Sequence, residues 1–289
     1  MDPRLQESYR TCRRLQRRHD PTFYCATYCL PRGVQPAVHA LYGFVRGADE
    51  IVDGPDRPTT GAARRAALDA WQHELESGLA GGRSEHPVIA ALVHAGPRHG
   101  LPLHLLGRYM ESMRVDCEEP VRIATVPELD AYMDGSAATV GRLMAPLLRA
   151  PDPEAVARLG VAFQLTNFIR DVPLDWDLDR VYLPGLPEDD LRAGTASERV
   201  RERVAQEVAR ARALFADTGG IAIAPGMRHG VRVARAVYGT VLDRVERNGY
   251  DVLGARVRLR PWEAAGAALA RPPFTRGGRI AARRETPWA

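Results

Sequence analysis

Residues 160–184 read GVAFQLTNFIRDVPLDWDLDRVYLP, and the fold of the chain is organised around this stretch. Its apolar residues predict a buried helix that only one narrow line of polar side chains crosses. That line consists of Gln164, Asn167, Asp171 and Asp175. Steps of three, four and four residues place all four on one helix face. A surface helix has a broad polar face, so this narrow line ending in two carboxylates indicates a helix that lines a cavity.

A second stretch, HALYGFVRGADEIVD at residues 39–53, repeats the pattern with Tyr42, Arg46, Asp49 and Asp53. Neighbouring carboxylates repel each other unless a cation lies between them. Mg²⁺ favours a few carboxylates together with phosphate oxygens of a substrate. We therefore predict that both DxxxD motifs face one Mg²⁺ site, with Mn²⁺ as the alternative ion and a diphosphate ester as the ligand. A solvated helix is the alternative for either motif taken alone.

Composition limits the class of protein. With 289 residues and 45% hydrophobic content, the chain is long enough for one large core. We expect one domain over residues 1–271 and a weakly ordered basic tail over residues 272–289. No run approaches the roughly 18–20 apolar residues of a membrane-spanning helix, and we expect a soluble, cytoplasmic protein. The alternative for the basic tail is peripheral contact with anionic lipid.

All 40 basic residues are arginine, because the sequence contains no lysine. A Schiff-base lysine and a Walker-type phosphate-binding lysine are therefore excluded. Anion binding falls to arginine, to metal or to helix N-termini. The formal charge of +4 is scattered, which argues against nucleic acid as a partner. The four cysteines show no paired CxxC spacing, and buried free thiols are favoured over a zinc site at Cys25 and Cys29.

Helical periodicity covers nearly every long segment, and none alternates as a strand does, so we predict an all-α fold. Asp20 and Pro21 predict a helix start. His19 and Thr22 would lie around its free N–H groups, which favour an anion such as diphosphate, although a simple helix junction explains the pattern equally well. Pro173 predicts a kink or a nearby helix end, which places Asp175 less firmly than Asp171.

Two further helices bear on the cavity. Asp116 shares a helix face with Tyr109 and Met113, and we expect it at the surface rather than in the cavity. Small residues at positions 135–141 predict close approach of either a neighbouring helix or a long apolar ligand.

Five motifs occur together in this chain: FYCATYCLP, ALYGFVRGADEIVD, YMDGSAATVG, AFQLTNFIRDV and RVYLP. In this order and spacing they resemble the squalene and phytoene synthase family, from about Tyr9 to Arg260. Among its members, the chain is most similar to actinobacterial phytoene synthases.

The resemblance implies a single-domain isoprenoid synthase helical bundle around a central cavity. Asp49, Asp53, Asp171 and Asp175 would hold Mg²⁺ against two prenyl diphosphates. His19, Thr22, Arg46, Gln164, Asn167, Arg170 and Tyr182 would bind diphosphate, and Tyr42, Arg46, Tyr132 and Tyr250 would form the catalytic set. The implied reaction joins two geranylgeranyl diphosphates head to head, through a cyclopropyl intermediate, to phytoene. NADPH is not expected.

The chain departs from the family pattern in three places. Leu174 stands where the family often has an acidic residue, and Ala138 replaces a glycine. Near His19 the family often has small hydroxyl residues, but this chain has Asp20-Pro21, so only Thr22 remains as a hydroxyl that could contact phosphate. Three other functions stay open. The first is squalene or dehydrosqualene synthesis from farnesyl diphosphate, the second is terpene cyclisation, and the third is non-catalytic binding of a prenyl lipid.

Overall fold

The computed structural model describes residues 2–254 and residue 257, and this part of the chain is helical almost throughout. The helices are α1 Pro3–His19, α2 Pro21–Tyr28, α3 Gln35–Asp53, α4 Gly61–Gly81, α5 Pro87–His99, α6 Leu106–Val115, α7 Val126–Met133, α8 Thr139–Leu148, α9 Pro153–Asp177, α10 Glu188–Ala193, α11 Glu198–Asp217 and α12 Arg228–Arg247. The all-α prediction is confirmed.

Capping residues define several of these helices. Asp20 accepts a hydrogen bond from the backbone N–H of Phe23 at 2.7 Å, which caps α2 as the sequence predicts. Thr60 and Thr125 cap α4 and α7 in the same way. Gly100 ends α5 at a φ of 62°, a left-handed conformation that glycine adopts without strain.

Helix α9 runs through the middle of the core and packs against α8, α11 and α12. Pro173 does not interrupt it, because the helix ends only one turn later at Asp177. A proline costs least near a helix end, where fewer ladder bonds remain to be lost. Both aspartates of the second motif therefore lie on one continuous helix.

Small residues let the segment before α8 approach α9 closely. A Cβ atom on Gly160 would lie 2.6 Å from the carbonyl oxygen of Ala137. A Cβ atom on Gly141 would lie 2.6 Å from the Cα atom of Ala157. Between α7 and α8, residues Asp134–Ala138 form a π-helical turn. The prediction of close helix packing here is confirmed, and Ser136 and Ala137 also line the cavity described below.

Two features were not predicted from the sequence. The two-residue strands β1 (Val121–Arg122) and β2 (Arg180–Val181) pair in parallel, and α10 follows β2.

The predicted basic tail, residues 272–289, lies outside the described part of the chain. No helix within residues 2–254 is both long and apolar enough to cross a membrane.

Candidate active site

A cavity of about 450 Å³ lies between α2, α3, α6, α7, α9 and α12. The structure brings most of the predicted site residues to its wall, namely Tyr42, Arg46, Asp49, Asp53, Tyr132, Gln164, Asn167, Arg170, Asp171, Asp175 and Tyr182. The two DxxxD motifs therefore face the same space from two helices. Each motif contributes both of its aspartates.

The carboxylate of Asp49, on α3, lies in an environment that disfavours its negative charge. Burial and the neighbouring Asp53 raise the pKa of Asp49 to about 7, although the hydroxyl of Tyr109 donates to its Oδ1 at 3.0 Å. On α9, burial and then Asp171 raise the pKa of Asp175 well above its ordinary value. Crowded, buried carboxylates of this kind are stabilised when a cation joins them.

The donor atoms fit a hard cation that keeps other oxygen ligands. Asn167 Oδ1 is buried without a hydrogen-bond partner in the described structure, and it lies one turn before Asp171 on the same helix face. No three His, Cys, Asp or Glu side chains within the described residues are arranged to hold one ion. Mg²⁺ binds through a few carboxylates and completes its shell with phosphate oxygens and water, which suits the aspartates of this wall.

Asp116 is the clearest departure from the sequence-based expectation. We expected it at the surface, but it is only 3% exposed and lines the cavity from the end of α6. Its two carboxylate oxygens accept hydrogen bonds from Tyr132 at 2.5 Å and from Tyr182 at 2.7 Å. Burial is the main cause that raises the pKa of Asp116 to about 6. The expectation was wrong because the partners that bury Asp116 lie on other elements.

Arg180, in β2, also lines the cavity and was not singled out from the sequence. Its guanidinium is buried and bridges two elements. Nη1 donates to Asp53 Oδ1 at 2.5 Å, and Nη2 donates to the backbone oxygen of Asp116 at 3.1 Å. The only signal in the sequence was its place in the RVYLP motif.

Two of the predicted diphosphate-binding residues, His19 and Arg46, both contact Glu50. Arg46 donates to Glu50 Oε1 from Nε at 2.9 Å, and His19 Nδ1 lies 3.3 Å from the same oxygen. His19 is not part of the cavity wall, but Glu50 links it to Arg46, which is. The side chain of Thr22 lies outside the described part of the structure. On α9, Arg170 donates from Nε to Asp171 Oδ1 at 2.8 Å.

Tyr250, which the sequence analysis assigns to the catalytic set, lies outside the cavity wall of the described structure. Tyr250 follows α12 and packs against the core, and it is not part of the cavity wall. Tyr238, which lies within α12, lines the cavity instead, beside Asn167. The catalytic role predicted for Tyr250 stays a prediction, and the described residues place this side chain outside the cavity wall. Tyr238 could have been found from the sequence as the one tyrosine within the apolar repeat of α12.

An apolar pocket of about 110 Å³ adjoins the cavity between α2, α8, α9 and α12. Phe23, Val140, Gly160 and Phe163 belong to both spaces. Acidic and polar side chains therefore line the cavity, and mainly apolar side chains line the pocket beside it. This arrangement suits a ligand with an anionic head and a long hydrocarbon tail.

Comparison with known proteins decides the family. Residues 16–263 match the family described as squalene/phytoene synthase. The chain belongs to the squalene/phytoene synthase family. Its members are prenyltransferases, which agrees with a cavity that joins carboxylates to an apolar pocket.

Similar proteins cover nearly the whole length of this squalene/phytoene synthase family member. A phytoene synthase of Arthrospira platensis is 34% identical, over 89% of this chain and 90% of its own. A phytoene synthase of Thermus thermophilus is also 34% identical, over 92% of each chain. A squalene synthase structure from Alicyclobacillus acidocaldarius has a TM-score of 0.76 at 29% identity, over 87% of this chain and 97% of its own.

A dehydrosqualene synthase structure superimposes with a TM-score of 0.81, over 92% of this chain and 95% of its own. At 22% identity, this likeness supports the fold alone. The predicted isoprenoid synthase bundle around a central cavity is confirmed. The particular likeness to actinobacterial phytoene synthases stays a prediction.

Proposed function

We propose that this enzyme condenses two geranylgeranyl diphosphates head to head to phytoene, with Mg²⁺ as its cofactor. The observation that carries the proposal is the cavity itself, which is lined by two aspartates from each of two helices. These are Asp49 and Asp53 of α3 and Asp171 and Asp175 of α9, and an apolar pocket adjoins the cavity. The relatives that are 34% identical are named phytoene synthases, which favours the longer substrate over farnesyl diphosphate.

The proposed reaction has two halves that balance without a reductant. In the first, the C1–O bond of one substrate breaks, its C1 joins the C2–C3 alkene of the other, and proton loss closes a cyclopropane. In the second, the remaining diphosphate leaves, the carbon skeleton rearranges, and proton loss forms the central double bond. Two diphosphates and two protons are released, and NADPH is not required.

Residues of the chain would divide these tasks by their chemistry. Arg46 and Arg170 provide fixed positive charge beside the two acidic motifs, and they can bind the diphosphates. The buried tyrosines and phenylalanines of the wall exclude water and offer ring faces to a carbocation. Mg²⁺, held by the aspartates with Asn167 as an additional oxygen donor, would draw charge from the leaving diphosphate.

The hydrocarbon tail would extend past Phe163 into the apolar pocket. Among the described residues, no charged side chain lines that pocket, whose wall includes Leu30, Met144 and Leu159. Burying a hydrocarbon tail there is favourable by about 0.8 kcal/mol for each CH₂ group. This gain would help to hold the substrate while its head group reacts.

The test is product identification with purified protein. The chain would be incubated with geranylgeranyl or farnesyl diphosphate, with and without Mg²⁺ and NADPH. Phytoene from the longer substrate, dependent on Mg²⁺ and independent of NADPH, is the expected result. Dehydrosqualene as the dominant product from farnesyl diphosphate, or a cyclic terpene from a single substrate molecule, would overturn the proposal.

A matched pair of variants tests the acidic motif in the same assay. Asp171→Ala should abolish turnover while the thermal unfolding temperature changes little. The control is Asp189→Ala, because the side chain of Asp189 is 95% exposed on α10. This control should keep full activity. An active Asp171→Ala enzyme would refute the assignment.

The contact of residues 272–289 with anionic lipid stays a proposal from the sequence alone. Sedimentation of the full chain with anionic and with neutral vesicles tests it. The expected result is binding to the anionic vesicles only, lost when the chain is truncated after Arg271. Equal binding by the truncated chain would contradict it.

A further inference from the structure

Asp116 joins two tyrosines that face the cavity. Tyr132, on α7, donates to Asp116 Oδ2, and Tyr182, after β2, donates to Asp116 Oδ1. All three side chains are buried. Each carboxylate oxygen therefore takes one hydroxyl hydrogen, and neither tyrosine has a hydroxyl hydrogen left for the substrate.

Three aromatic rings form a continuous wall at this point. The ring centroids of Phe168 and Tyr182 lie 4.4 Å apart at an interplanar angle of 23°. The centroids of Tyr132 and Tyr182 lie 5.3 Å apart, and those of Tyr132 and Phe168 lie 6.0 Å apart. We call Tyr132, Phe168 and Tyr182 the aromatic wall.

Asp116 is itself held from the main chain. Its backbone N–H bonds to the carbonyl oxygen of Met113 at 3.2 Å at the end of α6. Its backbone oxygen accepts from Arg180 Nη2, which also anchors β2. The carboxylate is therefore a fixed point between α6, α7 and β2, and its two hydrogen bonds fix the orientation of the two tyrosine rings.

We propose that Asp116 is a positioning residue of the reaction, which orients Tyr132 and Tyr182 so that electron-rich rings, and no hydroxyl donor, face the carbocation. Hydrogen bonds donated to a carboxylate polarise the two hydroxyls and increase electron density on both oxygens and rings. A cation over such a ring is stabilised by the ring quadrupole, more strongly where water is excluded. The step that this serves rests on the proposed function.

A purely structural role is the competing explanation, since a buried carboxylate needs hydrogen-bond partners wherever it lies. The two explanations differ in what they predict for ligand charge. A structural role predicts that loss of the carboxylate weakens all ligands of the cavity equally. A positioning role predicts a selective loss of affinity for a positively charged ligand.

The test compares two prenyl analogues of the same shape, one with a tertiary ammonium in place of the cationic carbon and one with a neutral carbon. Binding of each is measured by calorimetry in the whole chain. In Asp116→Asn, the preference for the ammonium analogue should fall roughly three- to thirtyfold. An unchanged preference in this variant, or no preference in the unmodified chain, would overturn the proposal.

Glu207→Gln is the matched control. Glu207 is another buried carboxylate, 2% exposed, but it lies on α11 and pairs with Arg203 rather than with the cavity. This variant should keep the preference for the ammonium analogue. Selective loss in Glu207→Gln as well would show a general effect of stability and contradict the proposal.

Tyr132→Phe combined with Tyr182→Phe provides a second route if Asp116→Asn does not fold. These replacements keep the rings and remove both hydroxyls. They should reproduce the lost preference for the ammonium analogue. An unchanged preference in the double variant would contradict an action of Asp116 through the tyrosines.

Turnover separates this inference from the proposed function. With geranylgeranyl diphosphate, Asp116→Asn should release a larger share of the cyclopropyl diphosphate in place of phytoene. The calorimetric comparison needs no turnover. If the unmodified chain made no phytoene but the ammonium preference still depended on Asp116, the proposed function would fail while the role of Asp116 stood.

Discussion

Arg180 Nη1 donates to Asp53 Oδ1 at 2.5 Å, which ties β2 to the last turn of α3. The guanidinium is 2% exposed, and its second contact is the backbone oxygen of Asp116. Lysine has one compact ammonium and cannot reproduce this bridge. We predict that Arg180→Lys lowers the free energy of unfolding by about 1–3 kcal/mol.

Urea denaturation measures this loss. The control is Arg192→Lys, since Arg192 pairs with Asp189 on the exposed surface of α10. Exposed ion pairs contribute little, so the control should change stability by less than about 0.5 kcal/mol. Equal losses in the two variants would show that the buried bridge contributes no more to the free energy of unfolding than an exposed ion pair does.

Gly160 lies where α9 closely approaches Ala137, in the turn before α8. Gly160→Ala would place a Cβ atom 2.6 Å from the Ala137 oxygen, which the backbone must relieve by moving. We predict a loss of about 1–3 kcal/mol in the free energy of unfolding, from overpacking.

Gly107→Ala is the matched control, because a Cβ atom on Gly107 of α6 meets no heavy atom within 4 Å. Alanine favours the helix over glycine, so this variant should gain up to about 1 kcal/mol. Thermal unfolding followed by circular dichroism compares them. A gain in Gly160→Ala would mean that the two helices are further apart than described.

His39 predicts how stability responds to acid. Burial, and then the charge of Arg13, lower the pKa of His39 to about 4, while the unfolded chain keeps the ordinary value of about 6.5. Between these values the unfolded state binds a proton that the folded state does not. The free energy of unfolding should therefore fall by about 2–3 kcal/mol as the pH drops from about 6.5 to about 4.

His39→Asn should flatten this pH dependence, since the amide can still donate to Gln16 Oε1, as His39 Nδ1 does, but does not titrate. The same change at exposed His104 serves as the control and should leave the curve unaltered. Denaturation curves across the pH range provide the measurement. An unchanged slope in His39→Asn would rule out His39 as the source.

Tyr238 and Tyr250 differ in their relation to the cavity. Tyr238→Phe removes a hydroxyl from the cavity wall beside Asn167, and we expect its kcat to fall roughly tenfold or more, as when other polar groups of an active site are lost. Tyr250→Phe should keep kcat within about twofold. Steady-state kinetics with geranylgeranyl diphosphate measure both values of kcat. A larger loss of kcat in Tyr250→Phe than in Tyr238→Phe would favour the catalytic role predicted for Tyr250.

The sequence was sufficient for the helices and the two acidic motifs, because both follow from local periodicity and capping. Asp20 caps α2 as expected, and Asp171 and Asp175 share one face of α9. Asp116 was misplaced because its burial depends on Tyr132 and Tyr182, which reach it from α7 and β2. Periodicity fixes which residues share a face, but not which neighbour that face meets.

Tyr238 was not singled out from the sequence for a related reason. Tyr238 lies in the middle of α12, which ends at Arg247, and Tyr250 follows that end. Helical spacing carries no information on which turn of α12 lies beside α9. The bridge of Arg180 from β2 to α3 was missed likewise, because it joins residues 127 positions apart.

Calorimetric titration of inorganic pyrophosphate into the chain, with and without Mg²⁺, tests the central claim most directly. We predict binding that requires Mg²⁺ and weakens at least roughly tenfold in Asp49→Asn and in Asp171→Asn alike, one change on each helix. Asp189→Asn should bind as the unmodified chain does. Binding without Mg²⁺, or binding that either cavity variant leaves intact, would contradict a single metal-dependent site between α3 and α9.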